Sequence, residues 1–304
     1  MRLGFMTALF PELSLEEVMD FAAREGFASI EVMCWPPGRA ERKFAGVSHI
    51  DVTTLDNGGA DKVTELCERT GVAISALGFY PNLLDPDRET ADAAAAHLHQ
   101  VIEAAPKLGL TRVNSFVGRD WKLTVDENWP RFLEVWRPLV KHAEEHGVFI
   151  GIENCPMLFT ADEWPGGKNL FTSPAIWRRA FEELDSDHFG LNYDPSHFIL
   201  LDIDPIAPLE EFASKLFHVH AKDLAIDEAA LAEHGRFDFP KQWHLPRIPG
   251  FGEIDWGAFF AELIRVGYRG DVAIEVEDET FGPTLEDRQR ALRTAGNVLR
   301  PFVG

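Results

Sequence analysis

Eight short apolar runs, each followed by a longer amphipathic stretch, divide the chain from end to end. They are RLGFM (2–6), ASIEVM (28–33), VAISALGF (72–79), TRVNSFV (111–117), VFIGIEN (148–154), HFGLNYD (188–194), LFHVHAKD (216–223) and DVAIEVE (271–277). Runs of this length with little polar alternation read as strands covered on both faces. The stretches between them have helical spacing, beginning with SLEEVMDFAAREG, where Ser14 and Glu17 stand at capping-box distance. Further helical patterns cover 54–71, 89–108, 124–147, 173–184, 205–214, 255–266 and 284–300. Gly26, Gly71, Gly109, Gly147 and Gly267 close several of them just before the next strand, where a left-handed residue stops a helix. Strands alternating with helices imply a parallel sheet. Eight such units in 304 residues fit one (β/α)8 TIM barrel spanning 1–304 better than an open sheet. The doubly wound alternative lacks a GxGxxG after its first strand.

Three long loops, 34–54, 155–172 and 224–254, follow the second, fifth and seventh strands. Barrel enzymes keep their sites on that face. The balance of 29 Lys+Arg against 50 Asp+Glu gives a formal net charge of −21, which repels nucleic acid and anionic membrane surfaces. Three cysteines, Cys34, Cys67 and Cys155, form no CxxC pair and are too few for a disulfide framework. MRLGFM leads straight into the first strand without a signal-peptide pattern, and no run approaches the roughly 18 apolar residues of a membrane span. The expectation is a soluble cytoplasmic protein.

The last four strands each end in a potential metal ligand. The fifth gives Glu153, the sixth Asp194 with His197 three residues on, the seventh His220, and the eighth Glu275. In a barrel these ends converge on one mouth. Strand alternation agrees: Gly151, Asn192, Gly190 and Ala273 share the inward face with them, while Ile150, Ile152, Leu191, Tyr193, Val272 and Ile274 face the helices. Any one of the four alone would be an ordinary polar residue at a barrel rim; four on successive strands read as one metal centre. Three carboxylates and an imidazole suit a hard divalent ion such as Mn²⁺, Mg²⁺ or Co²⁺, with Zn²⁺ also compatible. The stretch HVHAKD (218–223) points His218, His220 and Lys222 the same way. Only His220 lies level with the carboxylates. His218 falls one layer deeper as a supporting residue, and Lys222 rises toward a substrate. Asp223 reads as a loop or helix cap. Asn154 and Asn192 are placed to orient the ligands. Trp35, Phe79, Phe116 and Trp121 offer either an apolar wall for a sugar ring or simple packing. Cys155 has no evident base partner.

The endings IEN, DPSH, HVHAKD and AIEVED, with PGFGEIDW (249–256) before the last unit, resemble the xylose-isomerase-like TIM-barrel superfamily over nearly the whole chain. That group includes tagatose/psicose 3-epimerases and inosose-processing enzymes. The resemblance implies one divalent metal, usually Mn²⁺, on Glu153, Asp194, His220 and Glu275. It implies that Glu153 and Glu275 double as the acid/base pair. It also implies substrate contacts from His197 and from an arginine after the seventh strand, here Arg247.

These residues suggest an isomerase or epimerase acting on a ketose or keto-cyclitol. The metal polarises the carbonyl, one glutamate removes the neighbouring C–H proton to give a metal-held cis-enediolate, and the other glutamate returns it. Expulsion of a leaving group from the same intermediate would make the protein a lyase or dehydratase of a keto sugar or 3-keto-glycoside. An endonuclease IV-type phosphodiesterase needs histidines after the second and third strands, where EVMCWPPG and LGFYPNLL have none. A non-catalytic sugar-binding subunit would not need the ligand set. The partners expected are a small sugar or cyclitol, no nucleic acid and no membrane, with homo-oligomerisation left open.

Overall fold

The apolar runs become the staves of a closed barrel in the computed structural model, which describes residues 1–37, 45–56, 58–158 and 161–303. The strands are β1 (Arg2–Met6), β2 (Ser29–Met33), β3 (Ala73–Gly78), β4 (Arg112–Ser115), β5 (Phe149–Glu153), β6 (Phe189–Tyr193), β7 (Leu216–Ala221) and β10 (Asp271–Ile274). They close in the order β1-β10-β7-β6-β5-β4-β3-β2, each pair parallel. Helices α1 (Leu15–Arg24), α2 (Gly59–Thr70), α3 (Arg88–Lys107), α4 (Val125–Glu145), α5 (Pro174–Leu184), α9 (Trp256–Arg265) and α10 (Leu285–Leu299) supply the outer layer. The Ser14–Glu17 capping box forms in full, and Thr124 with Glu127 makes a second one at the start of α4. The predicted stop glycines are in place, Gly71 at φ 69° and Gly147 at φ 66°.

Between this layer and the barrel lies the core. Ile30, Val32, Ile150, Ile152, Leu191, Tyr193 and Val272 are fully buried on the outward face. Phe5 meets Phe10, Phe21 and Phe27 edge-on at 5.2 to 5.9 Å, joining β1 to α1. The inward face is polar. Ser29, Glu31, Ser75, Asn114, Asn192, His218 and His220 are all buried there or at its edge. Gly151 leaves them room: a Cβ on it would stand 2.6 Å from Asn114 Oδ1. Two register slips lie beside this polar column, at Ile30/Glu31 against β3 and at Leu191/Asn192 against β7. Such slips re-aim side chains locally.

Two stretches differ from expectation. Of the single helix anticipated over 205–214 only the four-residue α7 (Pro208–Glu211) forms, begun by Pro208 at its first position and followed by a 3-10 turn at Ala213–Lys215, while a separate α6 (Ser196–Leu201) lies ahead of it. The stretch 224–254 carries its own structure. β8 (Asp223–Ile226) pairs antiparallel with β9 (His244–Arg247) around α8 (Glu228–His234), so the seventh unit wears a hairpin over the barrel mouth.

Candidate metal and acid–base centre

Strand ends set the height of the four predicted ligands. Glu153 closes β5, Asp194 follows β6 directly, His220 is the penultimate residue of β7, and Glu275 follows β10. One ligand atom from each lies within 4.8 Å of all the others. His220 Nδ1 is 3.6 Å from Glu153 Oε2 and 3.5 Å from Glu275 Oε2. Donors held about 2.1 Å from a shared ion stand roughly 3 to 3.5 Å apart, so these spacings fit a divalent cation. His220 Nδ1 is buried without a hydrogen-bond partner, which is costly unless something else satisfies it. The residues present therefore fit the metal that the donor chemistry implies.

His220 is fixed from behind. Its Nε2 lies 2.6 Å from Glu31 Oε2, and the Tyr80 hydroxyl donates to the other Glu31 oxygen. With Nε2–H given to Glu31, Nδ1 is the atom that faces the carboxylates, the usual carboxylate–histidine–metal arrangement. Burial opposes charge on His220, but Glu31, Glu153 and Glu275 outweigh it and hold the ring well above the ordinary histidine range. Burial alone would raise Glu31, yet His220, His218 and Tyr80 keep its carboxyl below the usual value. His218 sits beneath, as the strand parity requires. Its Nδ1 is 3.0 Å from Asn192 Oδ1 and its Nε2 is 3.1 Å from Ser75 Oγ. A neutral ring satisfies both if Nδ1–H donates to Asn192 and the Ser75 hydroxyl turns to Nε2 in place of the Ile30 carbonyl, 3.2 Å from it. Burial, helped by His220, pushes the His218 pKa down to about 4 against the pull of Glu31. Asn192 also donates to the Tyr80 hydroxyl at 3.1 Å. Asn154 grips the backbone of Asp194 on both sides, donating to its carbonyl and accepting from its N–H at 2.8 Å each.

Two cations stand among the ligands. Lys222 Nζ lies 3.1 Å from Glu275 Oε2 and 3.3 Å from both Asp194 Oδ2 and Glu277 Oε2. Burial disfavours its charge, but Glu275, Glu277, Asp194 and Glu153 raise it well above the lysine norm. His197 Nε2 lies 3.2 Å from Glu153 Oε1 and 3.3 Å from Asp194 Oδ2. Burial works against its charge too, and Cys155 and Asp194 beside it win. Cys155 thus does have an imidazole neighbour, contrary to expectation. Burial would raise Glu153, but hydrogen bonds from His197 and His220 and the charge of Lys222 hold it low. Glu275 is likewise lowered, against burial, chiefly by Lys222.

Arg247 ends β9 on the rim. Its Nη1 is 3.4 Å from Asp278 Oδ1, so among the described residues its ion-pair partner is Asp278, three positions past Glu275. Asp223 corrects its reading as a simple cap. Its carboxylate accepts from Leu224 N, Gly250 N, Ile254 N and Trp256 Nε1 at 2.9 to 3.1 Å, fastening PGFGEIDW to the end of β7. The aromatic wall is partly redrawn. Phe116 joins Met6, Met33, Tyr80 and Met157 in a small apolar cluster with Trp35 packed against it. Phe79 belongs to the main core against His97, and Trp121 lies under Lys168 Nζ at 4.5 Å. Sequence reasoning missed Glu31, Tyr80 and Ser75. The one usable signal was an acid inside the otherwise apolar SIEVM, since a strand covered on both faces has no solvent to offer a carboxylate.

Residues 19–301 match the family model described as xylose isomerase-like TIM barrel. The chain is 25% identical over 337 residues to the uncharacterized protein YfiH of Bacillus subtilis, covering 100% of this chain and 99% of that one. It is 26% identical over 243 residues to an inosose dehydratase of Geobacillus thermodenitrificans, covering 74% of this chain and 78% of that protein. Among solved structures it is similar to a D-psicose 3-epimerase with D-tagatose from Clostridium cellulolyticum, with TM-score 0.67, 17% identity, and coverage of 100% of this chain and 99% of that one.

Proposed function

Because the chain belongs to the xylose isomerase-like TIM-barrel family, we propose that it is a divalent-metal-dependent isomerase or epimerase of a ketose or keto-cyclitol, working by proton transfer at the carbon beside the carbonyl. The observation that carries this reading is the pair of glutamates that reach the same nitrogen, His220 Nδ1, from β5 and from β10, at 3.6 and 3.5 Å. β6 and β7 lie between those strands in the barrel, so the two carboxylates approach from different sides. When bound on Glu153, Asp194, His220 and Glu275, the ion supplies Lewis-acid polarisation of the carbonyl. One glutamate then takes the C–H proton and the other returns it, each positioned acid or base contributing roughly 10²- to 10⁴-fold. Both carboxyls are lowered, Glu153 mainly by His197 and His220, Glu275 mainly by Lys222, which suits whichever begins as base. The one that returns a proton must first take one up, and His197 beside Glu153 and Lys222 beside Glu275 are placed to supply it. His197 and Lys222 are assigned to substrate oxygens and Arg247 to the rim of the substrate site. His218, Asn154 and Asn192 position the ligands. Met6, Met33, Phe116 and Met157 supply an apolar wall for the ring face.

Mn²⁺ is the ion assigned, with Mg²⁺, Co²⁺ and Zn²⁺ as competitors. A small sugar or cyclitol is the partner, and the cytoplasm the location. Among the described residues no helix is long and apolar enough to cross a membrane. A phosphodiesterase is disfavoured: β2 and the start of the loop after β3 present Glu31 and Tyr80 to the cluster where histidines would be needed.

Elimination of water or of an aglycone is the second reading. It is favoured by His197 and Lys222, two protonated groups beside the glutamates that can donate to a departing oxygen. The test is incubation of Mn²⁺-loaded protein with a panel of ketoses and keto-cyclitols in D₂O, followed by NMR. Deuterium uptake with an intact skeleton is the expected result; an enone absorbance transfers the case to elimination. No exchange across the panel with metal bound overturns both. Glu153→Gln and Glu275→Gln should each abolish exchange, and full turnover in both variants would sink the acid/base assignment.

A further inference from the structure

A second group of metal-ligating side chains lies outside the barrel, between α3 and α4. Glu103, on α3, and His142 and His146, on α4 and its C-cap, each offer a ligand atom within 4.8 Å of the other two. His142 and His146 are one helical turn apart, so they project from the same face. His142 Nε2 is 3.4 Å from Glu103 Oε1. A tetrahedral ion with bonds of about 2.05 Å spaces its ligands about 3.3 Å apart. The Glu103–His142 spacing already matches that value, and His146 offers its ligand atom within 4.8 Å of both. His142 Nε2 is buried and makes no hydrogen bond, so the short approach to Glu103 is not a hydrogen-bonded pair. His146 is already set for coordination. Its Nδ1 lies 2.8 Å from the His142 carbonyl, and donation of Nδ1–H there leaves Nε2 as a bare lone pair. The two rings stand 4.2 Å apart, and His99, one turn before Glu103 on α3, packs on His142 at 4.6 Å. Burial and the neighbouring His142 lower the His99 pKa, which favours a neutral ring there.

We infer that Glu103, His142 and His146 form a zinc site that ties α3 to α4. Two imidazoles and one carboxylate are a borderline donor set, softer than the three-carboxylate set at the barrel mouth, and Zn²⁺ matches it. The site occupies the opposite end of the molecule from the mouth. α4 runs against the strands, and His142 and His146 lie in its last turn, just before β5 starts at Phe149. A metal on that face serves stability rather than turnover.

The test counts zinc. Protein stripped with chelator is equilibrated at low micromolar free Zn²⁺, and bound zinc per chain is measured by elemental analysis with melting curves alongside. Wild type should hold two ions and His146→Gln one, with the zinc-induced rise in Tm reduced in the variant. His146 is only partly buried at a helix end, and the exposed Glu103→Gln serves as a second variant should the first fold poorly. One ion in wild type and none in His146→Gln would keep this site and remove the one at the mouth. The same count in wild type and both variants overturns the inference.

Discussion

Glu31→Gln tests the link between the buried network and the ligand it holds. The carboxylate is fully buried, 2.6 Å from His220 Nε2, with Tyr80 on its other oxygen. Glutamine keeps the shape and one acceptor oxygen, so Nε2–H retains a partner, but the negative charge is gone. A hydrogen bond to a charged group is worth about 1.5–3 kcal/mol and a neutral one about 0.5–1.5 kcal/mol. The difference of about 1–1.5 kcal/mol corresponds to a metal affinity reduced roughly tenfold. That is the lower end of the 10- to 100-fold range for loss of a histidine's supporting carboxylate. Glu31→Ala leaves Nε2 and the Tyr80 hydroxyl without their acceptor and should approach the upper end. The assay is chelator competition or calorimetry with Mn²⁺ and Zn²⁺, and a parallel melt of metal-free protein confirms folding. Proton release on binding should also fall in Glu31→Gln, because the His220 ring loses the charge that keeps it protonated. A folded Glu31→Gln protein with metal affinity within twofold of wild type would refute the argument that Glu31 orients His220.

Lys222→Met removes the cation among Asp194, Glu275 and Glu277, and loss of a buried ion-pair partner costs about 3–5 kcal/mol. Its metal-free Tm should drop while metal restores more Tm than in wild type; an equal metal-induced gain would contradict this. Gly252→Ala puts a Cβ 2.2 Å from Asp223 Oδ1 and 2.5 Å from the Leu224 carbonyl. Overpacking of this kind costs about 1–3 kcal/mol, readable as a lower urea midpoint, and an unchanged midpoint would count against the Asp223 anchor. His218 gives a pH signature. Its folded pKa of about 4 lies below the unfolded value of about 6.5, so the unfolded chain takes up a proton first and stability falls from pH 6.5 toward 4. The full loss is about 3 kcal/mol, and His218→Asn should flatten that part of the stability–pH curve; parallel curves would show that His218 is not the group responsible.

The barrel was legible because strands covered on both faces write themselves as unbroken apolar runs. The four candidate ligands were legible as a cluster because they stand where those runs stop. Parity puts His218 and His220 on one inward face, and two residues along β7 set them at different depths, His218 against Asn192 and Ser75. Glu31 escaped because its partners arrive from the loop after β3 and from β7, 49 and 189 residues away, a distance no local pattern announces. The hairpin over 223–247 escaped for a related reason. Its strands are short and separated by α8, so their pairing is non-local. Asp223 read as a cap because a carboxylate that serves four scattered donors looks no different in sequence from one that serves a helix end.

The end of β7 and the two residues beyond it place His220, Lys222 and Asp223 within four positions, as a candidate ligand, a cation and the fastening for PGFGEIDW. The stretch between its donors Leu224 and Gly250 hangs from that fastening and supplies none of the four candidate ligands. On the proposed function, the fold would separate the proton-transfer residues from the segment that selects the substrate. Exchanging residues 224–247 between relatives should transplant what the mouth admits while leaving the proton-transfer machinery in its original register.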